Sequence, residues 1–492
     1  MQRGRHGLPV PRGPPMSFAS PLFLWYFLPL VLVAVLVAPR RARNAVVAAA
    51  SLLFYASGAG GTTLLLLACI VVNFVAGRFL EPDQWSAGQG RRKLLLIGTV
   101  TFDLLILALW KYAGFATEQA AVLASWFGGG FPVLQLALPI GISFYTFHHI
   151  SYVVDIYRGE RPALRDPVSF VTYIAMFPQL VAGPIVRYRE IADQLPQQRT
   201  HRLDDIAAGF PRFAWGLTKK VVIADTLAPM VDTAFATPAE DMTFAIAWLG
   251  AIGYAMQLYF DFSGYSDMAI GLGRMLGFRL PENFARPYSS VTVTEFWRRW
   301  HMSLSRWFRD YVYIPLGGNR HGVAKTYRNL AIIFVLTGFW HGAAWTYLVW
   351  GLFHGLMLVV ERATGLDRAP SAPAARIGRR ALTMLLVVVG WVFFRAPDLG
   401  TAFTMLGHML VPDLGGLGDI VSASVTNQRM FFLLVALVVV FLPANSGTGP
   451  FLESVRSRPA NVLRVSVLTA GLAYSGLLVA TGSFSPFLYY QF

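Results

Sequence analysis

Long apolar runs recur through this chain, and they leave few folds open to it. A hydrocarbon core about 30 Å thick takes roughly 20 apolar residues of helix. Runs that meet or approach this length lie at 19–38, 61–80, 94–112, 168–187, 243–260, 330–360, 380–395, 430–444 and 464–480. Between them, 55% of the 492 residues are hydrophobic and 14% are charged. A soluble domain is about 25% charged, so this chain has too little charge to coat a water-facing globule. Its mean hydropathy of +0.51 excludes disorder for the opposite reason. A polytopic, all-α membrane protein is the class that remains. Counting the shorter run 45–57 and the interrupted stretches 132–157 and 208–233 predicts about 10–12 membrane-embedded helices.

Charge sets the expected orientation. Arg40, Arg41 and Arg43 follow the first run, and Arg78, Arg91, Arg92 and Lys93 follow two crossings later. Both clusters belong on the cytoplasmic side, which places the N-terminus outside. Residues 1–15 (MQRGRHGLPVPRGPP) are basic and rich in Pro and Gly, and conflict with that orientation. They are expected to be a disordered or mis-called extension, with Met16 opening a single membrane domain over 16–492. The net charge of +15 fits cytoplasmic loops and anionic headgroups better than nucleic acid, because the basic residues stand in short blocks between apolar runs. The lone cysteine, Cys69, lies in an apolar run and excludes disulfides and cysteine metal sites. Residues 188–207 read as a solvated basic loop, and 203–224 as an amphipathic helix.

The stretch 257–355 differs from the rest. Polar, aromatic, Gly and Pro residues mix there at membrane depth. Irregular backbone inside a bilayer is tolerated only when it is buried in protein or lines an aqueous cavity. Within the stretch, Trp297, Trp300, His301, Leu304, Trp307, Phe308 and Tyr311 recur at helical spacing, which predicts an interfacial helix over 295–311. Arg298, Arg299, Arg306 and Arg309 fall mostly off that face. From Arg286 to Arg328 there are seven Arg and one Lys against Glu295 and Asp310. Two readings stand for this basic strip: lipid headgroup contact, or capture of a phosphate-bearing donor such as coenzyme A or a phosphopantetheine carrier.

Before Glu361, the run 330–360 has only His341, Tyr347 and His354 as titratable side chains. An ionisable residue in a membrane span is a functional candidate by default. Gly338, Trp340, Gly342 and Trp345 surround His341; the glycines permit close approach and the tryptophans can wall off a dry site. An uncharged imidazole there is either a general base or a hydrogen-bonded structural group. His354 is read as structural. The histidines 301, 321, 341 and 354 have no spacing typical of zinc, and no HExxH, CxxC or GxSxG occurs. No metal is expected.

Taken together, several blocks resemble the membrane-bound O-acyltransferase family in its alginate O-acetylase branch. They are LPIGISFYTF (138–147), SYVVDIYRG (151–159), FPQLVAGPIVRY (177–188), YFDFSGYSDMAIGLGRMLGF (259–278), FWRRWHMSLSRWFRDYVYIPLGGNR (296–320) and GFWHGAAWTYLVWGLFHG (338–355). The ending SPFLYYQF (485–492) is similar too. The resemblance implies a ring of membrane helices around a tunnel, with short interfacial helices. It implies a catalytic histidine in the WHG motif, His341, and a second important histidine in the RWH motif, His301. By analogy with D-alanyl transfer, Tyr489 near the C-terminus is an acyl-relay candidate, with an interfacial aromatic anchor as the alternative. No role transfers to His148 or His149.

The expected function follows from the resemblance. An acetyl group passes from a cytoplasmic thioester, acetyl-CoA, across a bacterial inner membrane to hydroxyls of an extracytoplasmic polysaccharide such as alginate. Arg298, Arg299, Arg306 and Arg309 would bind the donor. No permanently bound cofactor is implied, and a periplasmic acetylesterase-like transferase is the expected partner. Peptidoglycan, cellulose or another glycan as acceptor, a non-catalytic acyl-donor transporter, and a scaffold of a polysaccharide export complex are the alternatives.

Overall fold

A computed structural model describes residues 16–82, 88–195, 203–413, 415–441 and 458–482. The extension 1–15 and Tyr489 lie outside the described residues. Every long regular element among those described is helical. Four helical stretches are long and apolar enough to cross a membrane by length and composition: Arg40–Phe79, Gln89–Trp126, Pro373–Arg395 and Asn461–Ala480. A pair bent by 72°, Gly418–Ser424 with Asn427–Phe441, passes the same test together. Other apolar runs form helices that are too short, such as Phe23–Val37 and Leu399–Leu410, that carry polar residues, or that are broken.

The chain packs into two compact units. The first holds residues up to Trp110, 137–181 and 187–203. Its helices are α1 (Leu28–Val37), α2 (Arg43–Ala59), α3 (Thr63–Phe79), the first part of α4 (Gln89–Trp126), α5 (Ile142–Tyr157), α6 (Pro167–Ala175), α7 (Phe177–Leu180) and α8 (Tyr188–Ile191). Phe18, Phe23, Phe27, Phe54 and Phe177 form its aromatic core, with Phe18 and Phe23 centroids 5.0 Å apart. Two basic residues of this unit are packed inside it. Arg92 is buried, donates to Leu80 O at 2.9 Å and to Tyr157 O, and lies over the Tyr157 ring. Arg187 is buried and pairs with Glu190 at 2.6 Å, so the stretch 188–207 opens with a packed helical turn rather than a free loop.

The second unit holds 111–136, 182–186 and everything from Asp204. It includes α9 (Leu203–Thr218), α10 (Asp225–Phe235), α11 (Phe244–Met275), α12 (Val293–Arg299), α13 (Met302–Phe308), α14 (Val323–His341), α15 (Trp345–Ala363), α16 (Pro373–Arg395), α17 (Leu399–Leu410), α18 (Gly418–Ser424), α19 (Asn427–Phe441) and α20 (Arg458–Ala480). The 32 residues of α11 span about 48 Å at 1.5 Å per residue. Helix α9 lies directly on α11 along a glycine seam. A Cβ on Gly216 would stand 2.5 Å from Gly264 O, and one on Gly209 would stand 2.5 Å from Gly271 O. Small residues let two backbones meet where no hydrophobic force separates lipid from helix.

Beyond α9, the predicted amphipathic helix over 203–224 changes character. Residues Lys219–Ala224 form a π-helical turn that turns both lysines inward. Lys219 Nζ reaches Asp267 at 2.8 Å, and Lys220 Nζ reaches Asp225 at 2.5 Å and Asp261 at 2.8 Å. Arg212 joins Asp267 at 2.6 Å and Glu282 at 2.7 Å. These buried ion pairs lower the hydropathy of α11 while filling its interior face.

Candidate active site

The site begins with a hairpin. Helices α14 and α15 fold back on each other, and His341 is the last residue of α14. Glycine makes the turn possible: a Cβ on Gly351 would lie 2.3 Å from Phe334 O, and one on Gly342 would lie 2.2 Å from the Tyr347 ring. The last carbonyls of a helix have no partner within it. Here Tyr112 donates its hydroxyl to Phe339 O at 2.7 Å, and Lys111 donates to Trp340 O while lying 5.7 Å over the Trp340 ring. A cation suits this negative helix end.

Aromatic rings enclose the His341 imidazole. Its centroid is 4.8 Å from Trp340, 5.0 Å from Trp350 and 5.0 Å from Phe394, and the residue is 2% exposed. The ring of His301 lies 6.0 Å from the same Trp340. The two sequence-predicted histidines therefore share one tryptophan wall, although 40 residues separate them in sequence.

His301 is held differently. The predicted helix over 295–311 is broken at Trp300–His301, between α12 and α13. His301 takes φ 45° and ψ 53°, a left-handed conformation that costs a non-glycine residue free energy. Its neighbours over-determine it. Met302 N donates to Asn283 O at 2.9 Å, and Ala285 N donates to Arg299 O at 3.0 Å. Asn283 Oδ1 accepts from Ser303 N at 3.2 Å and Ser303 Oγ at 2.9 Å, and stands 3.1 Å from His301 Nδ1. The backbone N–H of Ser303 fixes which end of the amide faces the ring. An amide oxygen only accepts, so Nδ1 carries the proton, and the uncharged ring keeps its lone pair on Nε2. Asn283 is fully buried, and its Nδ2 has no partner among the described residues.

Three of the four predicted donor arginines converge. Arg298, Arg306 and Arg309 line a cavity of about 570 Å³ together with Trp297, Met302 and Phe334, and no carboxylate among the described residues lines it. Arg309 is held by Asp310 at 2.7 Å, and Arg306 donates to Glu282 O at 3.1 Å. Arg299 is turned elsewhere, paired with Glu295 at 2.5 Å and donating to Ser289 Oγ at 2.9 Å. Neither His301 nor His341 lines the cavity. Trp297 stands between: it forms the cavity wall and lies 5.6 Å from Trp350, which contacts His341. His354 packs 5.1 Å from Trp297 and 5.4 Å from Trp350, buried beside the cluster as a core residue.

Comparison with known proteins decides the family. The family model of the membrane-bound O-acyltransferases matches residues 160–394. The "Probable alginate O-acetylase AlgI" of Azotobacter vinelandii is 44% identical, over 97% of this chain and 100% of its own length. That of Pseudomonas putida is 43% identical over the same shares. The "Peptidoglycan O-acetyltransferase" of Helicobacter pylori is 36% identical over 80% of each chain. The chain belongs to the membrane-bound O-acyltransferase family. Like other membrane-bound O-acyltransferases it is a polytopic, helical membrane enzyme that moves an acyl group to a hydroxyl. Both histidines, the arginine-lined cavity and the broken helix between them fall within the matched region. Sequence reasoning passed over Asn283 and Lys111; only the asparagine lies in that region.

Proposed function

We propose that this enzyme O-acetylates an extracytoplasmic polysaccharide, alginate, using acetyl-CoA supplied from the cytoplasm at a bacterial inner membrane. The observation that carries the acceptor is the end-to-end similarity to alginate O-acetylases, higher and longer than the similarity to the peptidoglycan enzyme. In the reaction, an acceptor hydroxyl gives its proton to the His341 imidazole as its oxygen attacks the thioester carbonyl carbon, and the acetyl group then passes on to the polysaccharide through the partner. The tetrahedral oxyanion collapses, the carbon–sulfur bond breaks, and the thiolate recovers the proton from the imidazolium. Arg298, Arg306 and Arg309 hold the donor phosphates, with Arg309 steadied by Asp310. The acyl arm reaches His341 by displacing Trp297. A periplasmic transferase that receives the acetyl group is the partner this reading requires, and Tyr489 is its candidate relay.

For His301 to stabilise the oxyanion, Nε2 must carry a proton. With Nδ1–H directed to Asn283, His301 supplies that proton only as imidazolium; uncharged, it accepts a hydrogen bond from the acceptor hydroxyl. Asn283 is its positioning residue. Asn283→Ala is expected to lower kcat about 10–100-fold with the donor KM nearly unchanged, the scale of a misplaced catalytic group. Asn283→Asp, which keeps the acceptor, restores most of the rate and moves the acid limb of the pH–rate profile upward, because a carboxylate favours the imidazolium. An unshifted profile with equal rates in both variants removes Asn283 from this role.

Membrane vesicles given [acetyl-¹⁴C]CoA on the cytoplasmic side provide the test of the function. Label is expected in alginate and not in peptidoglycan when each is offered with its periplasmic transferase. In the same assay Arg298→Gln raises the donor KM several-fold. Label confined to peptidoglycan overturns the acceptor, and donor consumption with no dependence on Arg298 or Arg306 overturns the donor site.

A further inference from the structure

We propose that a second, arginine-rimmed cavity in the first unit binds the phosphate of an anionic phospholipid headgroup. This cavity is larger than the one beside the histidines, at about 840 Å³. Its lining includes Arg40, Arg41, Arg161, Arg165, Asp166 and Asp193. The carboxylates are already engaged. Asp193 pairs with Arg161 at 2.7 Å, and Asp166 caps α6 by accepting from Val168 N at 3.1 Å and from Ser169 N and Oγ at 2.9 and 2.6 Å. The side chains of Arg40, Arg41 and Arg165 have no hydrogen bond or ion pair among the described residues. Three arginines whose side chains carry no ion pair thus line one concavity.

Position argues for a lipid. Arg40 and Arg41 come three and four residues after apolar α1, which ends at Val37, the place where basic residues meet headgroups. The floor of the site is polar but firmly built. Asn44 donates to Leu195 O at 2.7 Å, and the Tyr188 hydroxyl donates to Pro162 O at 2.6 Å. Guanidinium forks match phosphate oxygens in pairs, whereas a zwitterionic choline head would set its own cation against them. An anionic head such as glycerol phosphate fits; phosphatidylcholine does not.

The test uses the full chain in an uncharged maltoside detergent, with thermal unfolding as readout. Dihexanoyl phosphatidylglycerol is expected to raise the midpoint saturably, and dihexanoyl phosphatidylcholine to leave it unchanged. The variant Arg40→Gln/Arg41→Gln/Arg165→Gln should bind phosphatidylglycerol roughly a hundredfold more weakly, about fivefold per arginine. Arg165→Gln alone, at an exposed position with no partner to lose, should show the single fivefold step and keeps the test available if the triple variant is produced poorly. Equal stabilisation of the wild type and the variants by phosphatidylglycerol overturns the site. Stabilisation by coenzyme A but not by phosphatidylglycerol, lost in the variants, also overturns it and reassigns the cavity to a nucleotide.

Discussion

His341→Ala is expected to abolish acyl transfer while the protein remains in the membrane. Losing a positioned base typically costs about 10²–10⁴ in rate, enough to put polymer acetylation below detection. The measurement is acetate released from the polymer by mild base, normalised to enzyme in the membrane fraction. Folding must be separated from chemistry, because the ring is packed against Trp340, Trp350 and Phe394. His341→Gln keeps more of the volume and still lacks the base, so it should be equally inactive at near-normal abundance. His354→Gln supplies the contrast. His354 is buried against Trp297 and Trp350, so the substitution should lower abundance yet leave the rate per folded enzyme within about twofold. Acetylation retained by His341→Gln would remove that imidazole from the mechanism.

How far the site could be read in advance differs from residue to residue. His341 was legible as a candidate because an ionisable residue in an apolar run stands out. The shared wall between His341 and His301 was not, since nothing in the local pattern brings 301 against 340. The break at His301 was hidden for another reason. A left-handed residue is usually announced by glycine or asparagine, whereas here a histidine is forced into that region by Asn283, 18 residues away in sequence. The periodic aromatic residues of 295–311 therefore suggested one helix where tertiary hydrogen bonds make two. The arginines were legible as a basic strip, but not their destinations: Glu295 draws Arg299 away by an i,i+4 pair while three others face a common cavity.

Fold-level signals were uneven in the same way. Apolar length marked the membrane helices at 61–79 and 94–112, where side chains face lipid. It understated α11, whose helix runs on from 260 to Met275 through Asp261 and Asp267, because those carboxylates are satisfied by Arg212, Lys219 and Lys220 rather than by water. One clue lay in plain view: GFPRFAWG (209–216) and GYSDMAIG (264–271) both carry glycines seven residues apart. Two such spacings describe two helix faces stripped of side chains, and the structure presses those faces together. The charges beside that seam could not be paired from sequence, since Lys219 meets Asp267 across 48 residues.

Asp267→Asn should therefore be the most damaging conservative substitution in the second unit. Its carboxylate lies 2.6 Å from Arg212 and 2.8 Å from Lys219, with all three side chains under 10% exposed. The amide keeps the shape but leaves Lys219 without a carboxylate and Arg212 with only the half-exposed Glu282. Removing one partner of a buried pair typically costs about 3–5 kcal/mol, because the surviving charge stays desolvated. A large drop in unfolding midpoint and in membrane abundance should follow. Adding Lys219→Met should recover part of the loss, as expected when the stranded cation is also removed, with a coupling of about 0.5–3 kcal/mol. Asp205→Asn supplies the control: its pair with Arg274 is longer, 3.2 Å, and more exposed, so its effect should stay under about 1 kcal/mol. If Asp267→Asn matched that control, the buried charges would contribute little, and the contact between α9 and α11 would rest on the glycine seam alone.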